Sequence, residues 1–281
     1  MHLKRRLKLL KYFPYIAWLS VWRFYNGNYT YQASALAFIT LLCVVPFVSV
    51  IVYVASFFVF FHDFVYMANN YIYANFVPRS SDAMQQYLDQ FVIQAGQLPT
   101  LSITFSVISG VMLILTVEHS LNNVWHVRHK SKDVLTTFIS WSILTLMPIY
   151  FGISVLVTGY ISSLAWFNHY QVFVLDLLNW LVNATVFTVL YIVVPNKLVD
   201  WSDGFLGGLI AAALFELAKK IFAFYITYFA NYQLIYGALA IVPILLVWIY
   251  VTWSIILYGA LFIKAKNDLL KVKAAQNIHF R

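Results

Sequence analysis

Residues 235–263 read IYGALAIVPILLVWIYVTWSIILYGALFI, 29 consecutive positions without Asp, Glu, Lys, Arg or His. At a helical rise of 1.5 Å per residue this stretch would be about 43 Å long, more than the roughly 30 Å of hydrocarbon in a bilayer. It has no polar face to turn toward water, so it reads as a transmembrane helix. The pattern recurs through the chain. No Asp, Glu, Lys or Arg occurs between Arg23 and Asp63, Asp89 and Glu118, Asp133 and Asp176, Asp176 and Lys197, or Lys220 and Lys264.

Composition agrees with that reading. The 281 residues are 62% hydrophobic and 10% charged, with a mean hydropathy of +0.78. A soluble domain carries about 25% charged residues, so this chain lacks the charge to cover a wet surface. The basic start, Met1 to Lys11, is not followed by an apolar run until about residue 33, too late for a cleavable signal peptide. The first span is therefore read as retained. The single cysteine, Cys43, excludes an intramolecular disulfide and carries no compartment information.

The expected fold is all-α: a polytopic transmembrane bundle of six spans forming a single integral membrane domain, residues 1–281. The spans lie at about 33–61, 101–117, 135–166, 177–195, 204–230 and 235–263, with an outer loop at 62–100. Basic residues test the topology. Lys4, Arg5, Arg6, Lys8, Lys11 and Arg23 precede span one; Arg128, Lys130 and Lys132 follow span two; Lys197 follows span four. Lys264, Lys266, Lys271, Lys273 and Arg281 follow span six, whereas the opposite loops hold only Arg79. Fifteen bases against one is a strong positive-inside signal, and it puts both termini in the cytoplasm. It also explains the formal net charge of +8 by orientation and contact with anionic lipid rather than by nucleic acid. Span three is long enough to tilt, or to bend near Pro148.

Two stretches outside the spans read as interfacial. Residues 12–25 carry Tyr12, Phe13, Tyr15, Trp18, Trp22 and Tyr25 with one charge, as a helix at headgroup level would. In the outer loop, Met84, Tyr87, Leu88, Phe91, Val92 and Ala95 mark one face of an amphipathic helix, which would cap the bundle or dock an envelope partner.

The most informative polar residues are Glu216, Lys219 and Lys220 in span five. Counted from Gly204, Glu216 lies about 18 Å along its helix, near the bilayer midplane. An unpaired charge there costs about 2.5–3.5 kcal/mol on insertion scales, so partners or water are expected. Glu216 and Lys220 are four apart with the acid first, the favourable order for a pair. The cluster is either a structural ion pair between helices or the wall of a polar substrate path. Gly207 and Gly208 in the same span read as a close helix contact, since no strand precedes them to make a phosphate loop. The aromatic residues at span ends read as the interfacial belt, and Asn231, Tyr232, Gln233, Tyr236 and Gly237 as the outer turn between spans five and six.

After span two the chain reads Glu118-His119-Ser120-Leu121-Asn122-Asn123-Val124-Trp125-His126-Val127-Arg128-His129-Lys130, taken as a solvated polar loop. His119, His126 and His129 match no standard zinc spacing and have no cysteine beside them. There is no Gly-x-Ser-x-Gly, no P-loop and no paired-carboxylate cluster. No catalytic residue, metal or cofactor is implied.

Three stretches together resemble the YihY/BrkB family of bacterial inner-membrane proteins. They are Gln32-Ala33-Ser34-Ala35-Leu36-Ala37-Phe38 with Val45-Pro46, then Ser120 to Arg128, then Phe215-Glu216-Leu217-Ala218-Lys219 leading to Tyr232 through Ala240, Pro243, Trp248 and Trp253-Ser254. The resemblance covers nearly the whole chain, in order. It implies a six-helix protein of the bacterial cytoplasmic membrane, multi-pass. By motif match it marks Gln32, Ser34, Pro46, Asn122, Trp125, Arg128, Glu216, Lys219, Tyr236, Gly237 and Pro243. The family has carried a tRNA-processing ribonuclease label, for which this sequence offers no chemistry.

The leading expectation is a transporter or exporter of a lipid or amphiphilic solute, with a polar path near the span-five charges. The alternative is a non-transporting envelope scaffold that recruits partners through its outer helix. A membrane-bound nuclease ranks last. The expected partners are the bilayer, anionic lipids at the cytoplasmic face and an envelope protein at the outer loop. No nucleic acid is among them, and substrate and oligomeric state are not legible.

Overall fold

A chain crossing hydrocarbon must satisfy every backbone N–H and C=O internally, which leaves the helix as the natural element for these apolar runs. The computed structural model describes residues 12–55, 100–127, 142, 171–236 and 241–279, and every element among them is an α-helix. In chain order they are α1 (Phe13–Asn26), α2 (Tyr29–Ala55), α3 (Thr100–Val124), α4 (Gln171–Val193), α5 (Trp201–Tyr236) and α6 (Ile241–His279). Apart from residues 100 and 142, the predicted third span and the outer loop, with its amphipathic stripe, lie outside the described residues. In α3 and α6 the segments Val107–Val124 and Val242–Lys273 are long and apolar enough to cross a membrane, and shorter apolar segments occupy Tyr29–Cys43 and Leu177–Val193. These four fall on predicted spans one, two, four and six.

The helices outrun the apolar segments that revealed them. α3 continues to Val124, so the polar sequence from Glu118 is helix and not loop. α5 runs to Tyr236, which places Asn231, Tyr232 and Gln233 in the helix rather than in the expected turn. α6 extends to His279, well past residue 263. The reason is common to all three: apolarity marks where lipid is, whereas Lys, Leu, Ala and Gln continue a helix into water at little cost. Pro243 sits in the first turn of α6, where a missing N–H breaks no helical bond.

The described residues form two compact units. The larger takes those up to Leu36, Ile114 to Tyr228 and from Val247 onward; the smaller takes Ala37 to Leu113 and Phe229 to Leu246. Inside the smaller, buried Cys43 donates to the Ser109 carbonyl at 3.1 Å, tying α2 to α3.

Inside the larger unit, small residues decide the packing. Gly204 and Gly208 stand one turn apart on α5 and face Ala184, Thr188 and Ile192 of α4. A Cβ built on Gly208 would lie 2.7 Å from the Ala184 carbonyl oxygen, and one on Gly204 would lie 2.5 Å from Cγ1 of Ile192. On its next ridge, Gly207 abuts Ile263 of α6. This is the small-xxx-small contact that lets membrane helices approach closely. Tyr191 fills the junction of α4, α5 and α6. It is fully buried, donates its hydroxyl to the Ile256 carbonyl at 2.8 Å and leaves no room for a side chain at Gly259.

α1 docks on this junction by one stripe. Its buried residues Ile16, Ser20 and Phe24 are four apart, and Ile16 packs against Phe262 and Ala265 of α6. Tyr15, Trp18, Trp22 and Tyr25 remain exposed on the other face. The helix therefore has one docked stripe and one open aromatic face.

Gly208→Val should therefore force α4 and α5 apart and lower stability by about 2 kcal/mol or more. Gly110, in α3, has open space where a Cβ would go. Gly110→Ala should leave stability unchanged or raise it by roughly 0.5–1 kcal/mol. Thermal unfolding of the purified chain in detergent measures both, and equal effects at the two positions would refute the packing account.

Candidate functional site: a mid-helix ion pair and a basic basin

The polar residues of the larger unit gather at two levels of α5. The first is at mid-helix, where Glu216 Oε1 accepts from Lys219 Nζ at 2.7 Å and from Asn183 Nδ2 of α4 at 3.1 Å. The expected pairing with Lys220 is corrected here: the partner is Lys219, and Lys220 is exposed. Helix geometry explains the choice. Ala212, Phe215 and Lys219 share one stripe at three- and four-residue spacing, and its first two members are buried. Phe215 meets Phe187 of α4 edge-on at 5.8 Å and Trp248 of α6 at 5.4 Å. Lys219 lies over the Phe215 ring, with Nζ 5.6 Å from its centroid. Lys220 falls on the flank with exposed Leu217, Ile221 and Phe224.

This pair is not sealed. The Lys219 and Glu216 side chains are 37% and 25% exposed. A second pair at the N-terminal end of α5 differs: Lys266 Nζ lies 2.5 Å from Asp203 Oδ1, with side chains 11% and 10% exposed. Asp203 is in the first turn of its helix, where the backbone dipole also favours a negative charge.

The second level is a basin of about 850 Å³ beside that sealed pair. Four segments wall it: the α1–α2 corner (Trp22, Arg23, Asn26, Gly27, Tyr29), the end of α3 (Trp125, His126), the α4–α5 linker (Lys197 to Asp200) and α6 from Leu261 to Lys271. Each is placed by local chemistry. At the corner, Asn28 takes a left-handed φ of 59°, which Asn tolerates better than most residues. Arg23 reaches across to Asp268 at 2.6 Å, joining α1 to α6.

The end of α3 is a Schellman turn. Val127 N–H bonds the Asn122 carbonyl at 3.2 Å, His126 N–H bonds the Asn123 carbonyl at 3.1 Å, and His126 has φ 51°. The Asn122 side chain then accepts from Asn196 N–H at 2.6 Å, anchoring the linker. Asn122 and Trp125 are both buried, so the stretch taken as a solvated loop is a buried helix end. His126 serves as its left-handed residue, with its imidazole exposed.

The basin holds Arg23, Lys197, Lys264 and Lys271 against Asp200 and Asp268. Lys264 is in the field of Asp268, Arg23 and Lys197 together. Among the described residues no carboxylate pairs with Lys197, Lys264 or Lys271, so the basin carries a positive excess. Its wall includes apolar groups open to the outside: Trp22, Leu198 and Leu270.

The remaining motif positions are scattered. Ser34 bonds back to the Thr30 carbonyl at 3.0 Å on an exposed face of α2. Gln32 Oε1 is buried without a partner among the described residues, as are Asn122 Nδ2 and Asn196 Oδ1. Pro46 lies within α2, Tyr236 ends α5 and Pro243 is exposed at the start of α6. Arg128 and Gly237 lie outside the described residues. The basin itself escaped the sequence reading. Its cations were counted only for topology, and Arg23 and Asp268 stand 245 positions apart.

Comparison with known proteins places this geometry. Residues 21–275 match the family model described as virulence factor BrkB. The chain is similar to a UPF0761 membrane protein of Cronobacter sakazakii, 36% identical over 271 residues, covering 93% of this chain and 92% of that protein. It is 43% identical over 235 residues to a UPF0761 membrane protein of Vibrio campbellii, covering 82% and 74%. One from Alteromonas mediterranea is 36% identical over 257 residues, covering 90% and 87%. No solved structure matches.

Two stability predictions follow from the site's construction. Asp203→Ala strands Lys266 in a closed environment and should cost about 3–5 kcal/mol, whereas Asp203→Leu with Lys266→Met should recover most of the loss. His126→Gly relieves a left-handed residue and should stabilise by about 1 kcal/mol. Detergent-phase thermal midpoints report all three variants, and a neutral Asp203→Ala or a destabilised His126→Gly would contradict the geometry.

Proposed function

We propose that this chain, which belongs to the virulence factor BrkB family of bacterial membrane proteins, moves an amphiphilic solute through the cytoplasmic membrane along a polar path beside α5. One observation carries the reading: the contrast between the two ion pairs of α5. The Asp203–Lys266 pair is closed, as a pair that only holds helices together would be. The Glu216–Lys219 pair, about 20 Å further along the helix, is open on both partners.

At that depth an open charge faces either lipid or water. Facing lipid costs about 2.5–3.5 kcal/mol per charge on insertion scales, and the attraction within one ion pair recovers only part of the desolvation cost of its two members. Water is the cheaper surrounding, and water at mid-membrane means a cavity or path. Asn183 contributes a third polar group there, from the facing helix. Exposed Leu217, Ile221 and Phe224 lie on the adjoining flank of the helix, with Lys220. A polar strip bordered by apolar side chains suits a molecule that is itself half polar. Glu216 and Lys219 would present a matched acceptor and donor to its polar part. No covalent step is involved.

Single cysteines from Phe215 to Phe222 in a Cys43→Ser background, treated with a membrane-impermeant thiol reagent from each side, test this. Labelling should be confined to the Glu216–Lys219 face, and Glu216→Gln or Lys219→Met should insert normally while impairing function in cells at least tenfold. A face that resists the reagent from both sides, with both variants functional, would make the pair a dry structural contact and end the transport reading.

A further inference from the structure

We infer that the basin at the end of α6 is a binding site for one anionic phospholipid, whose phosphate sits among Arg23, Lys197 and Lys264. This goes beyond the transport reading and stands whether or not α5 borders a path.

The charge pattern asks for an anion. Arg23 is already engaged by Asp268 and offers its remaining guanidinium donors. Lys197 and Lys264 have no carboxylate partner among the described residues. Lys264 lies in the field of Asp268, Arg23 and Lys197, and the one carboxylate, already paired with Arg23, does not neutralise all three cations, an excess that a bound phosphate diester would relieve. Cations gathered by pure accident on a wet surface would spread apart. Here the backbone prevents it, because each is fixed by a separate element: the α1–α2 corner, the linker held by Asn122, and α6. The volume of about 850 Å³ exceeds what a free phosphate or sulfate fills, and it accommodates a glycerophosphate headgroup.

Two observations favour a lipid over a soluble phosphate. First, the wall mixes those cations with apolar side chains that face outward; Leu198 is 99% exposed and Trp22 52%. Trp201 and Phe205 extend the same exposed apolar surface onto the start of α5. A Trp and Leu rim around a cationic centre fits the headgroup boundary, where aromatic and basic anchors concentrate. Second, a nearly apolar recess of about 460 Å³ lies further into the span along α6. It is walled by Phe24 and Tyr25 of α1 with Tyr250, Ile255 and Tyr258 of α6. From Tyr258 to Lys264 the helix rises about 9 Å, the scale of the step from an acyl chain's start to its phosphate. A lipid whose phosphate sat in the basin would find this recess within one acyl-chain length along α6.

Native mass spectrometry of the full chain, purified in detergent and titrated with phosphatidylglycerol, phosphatidylcholine or soluble glycerol phosphate, tests the inference. Phosphatidylglycerol should be retained at least tenfold better than phosphatidylcholine. Soluble glycerol phosphate in millimolar excess should not displace it. Lys197→Gln with Lys264→Gln should weaken retention about tenfold or more. Lys197→Arg with Lys264→Arg should keep it, which separates lost charge from lost folding. Lys220→Gln, which removes a positive charge outside the basin, should leave it as it was. Equal retention of the two lipids, displacement by glycerol phosphate, or a double Gln variant that binds as the parent does would each overturn the assignment. Because the readout is lipid retention and not movement across the membrane, dry cysteines along α5 would leave a positive result here untouched.

Discussion

The contact on which the larger unit depends is the side-chain-free approach of α5 to its neighbours at Gly204, Gly207 and Gly208. In hydrocarbon there is little hydrophobic drive between helices, so association rests on close packing and on the few polar bonds that closeness permits. With α5 against α4, the Tyr191 ring fills the three-helix junction and its hydroxyl finds the Ile256 carbonyl. With α5 against α6, Asp203 comes within reach of Lys266. The same approach carries Phe215 between Phe187 and Trp248, and with it the lysine one turn along. Separating the helices by the width of one methyl group would undo the polar contacts before it exposed much apolar area.

Those polar contacts divide by depth. At the α5 N-terminus a carboxylate and an ammonium are closed off together, with a helix dipole assisting the carboxylate. At mid-helix an equivalent pair is left open. On the transport reading the mid-helix pair lies in the more hostile medium, where a simple fastener would be the better sealed, since desolvated charge costs most where water is furthest away. The opposite is found, and this inversion is what gives the mid-helix pair its functional reading.

Much of this was legible in sequence, for reasons that vary by residue. Apolar runs report lipid contact directly, so the all-helical membrane fold could be read from residues 235–263 and their counterparts. Gly207 and Gly208 could be read as contact points because the run around them had no other use for two glycines. Glu216 and Lys219 stood out because any charge there is costly. Element ends were less legible, since the helix continues past the apolar run in α3, α5 and α6. The choice of Lys219 over Lys220 turned on where α4 lies, which spacing alone does not contain. His126 resisted reading for a related reason: the left-handed position after a helix is usually taken by glycine, and a histidine there looks like a ligand until its φ is known.

The basin shows a deeper limit of counting charges. Positive-inside arithmetic treats each Lys and Arg as a unit of orientation, the same wherever it sits on the cytoplasmic side. In the folded chain Arg23, Lys197, Lys264 and Lys271 come from three segments that this arithmetic assigned independently to one face, and the fold draws them to one cavity. Orientation alone does not require that. Like charges held around one cavity repel, and spreading the same residues over the loops would orient the chain equally well at less electrostatic cost. Yet each is held by a dedicated local device: the left-handed corner at Asn28, the Asn122 bond to the linker, and the unbroken run of α6. A cluster that is costly alone and rigidly built is best understood as one half of an interaction. On the inference drawn from the basin, its other half is an anion supplied by the membrane surface.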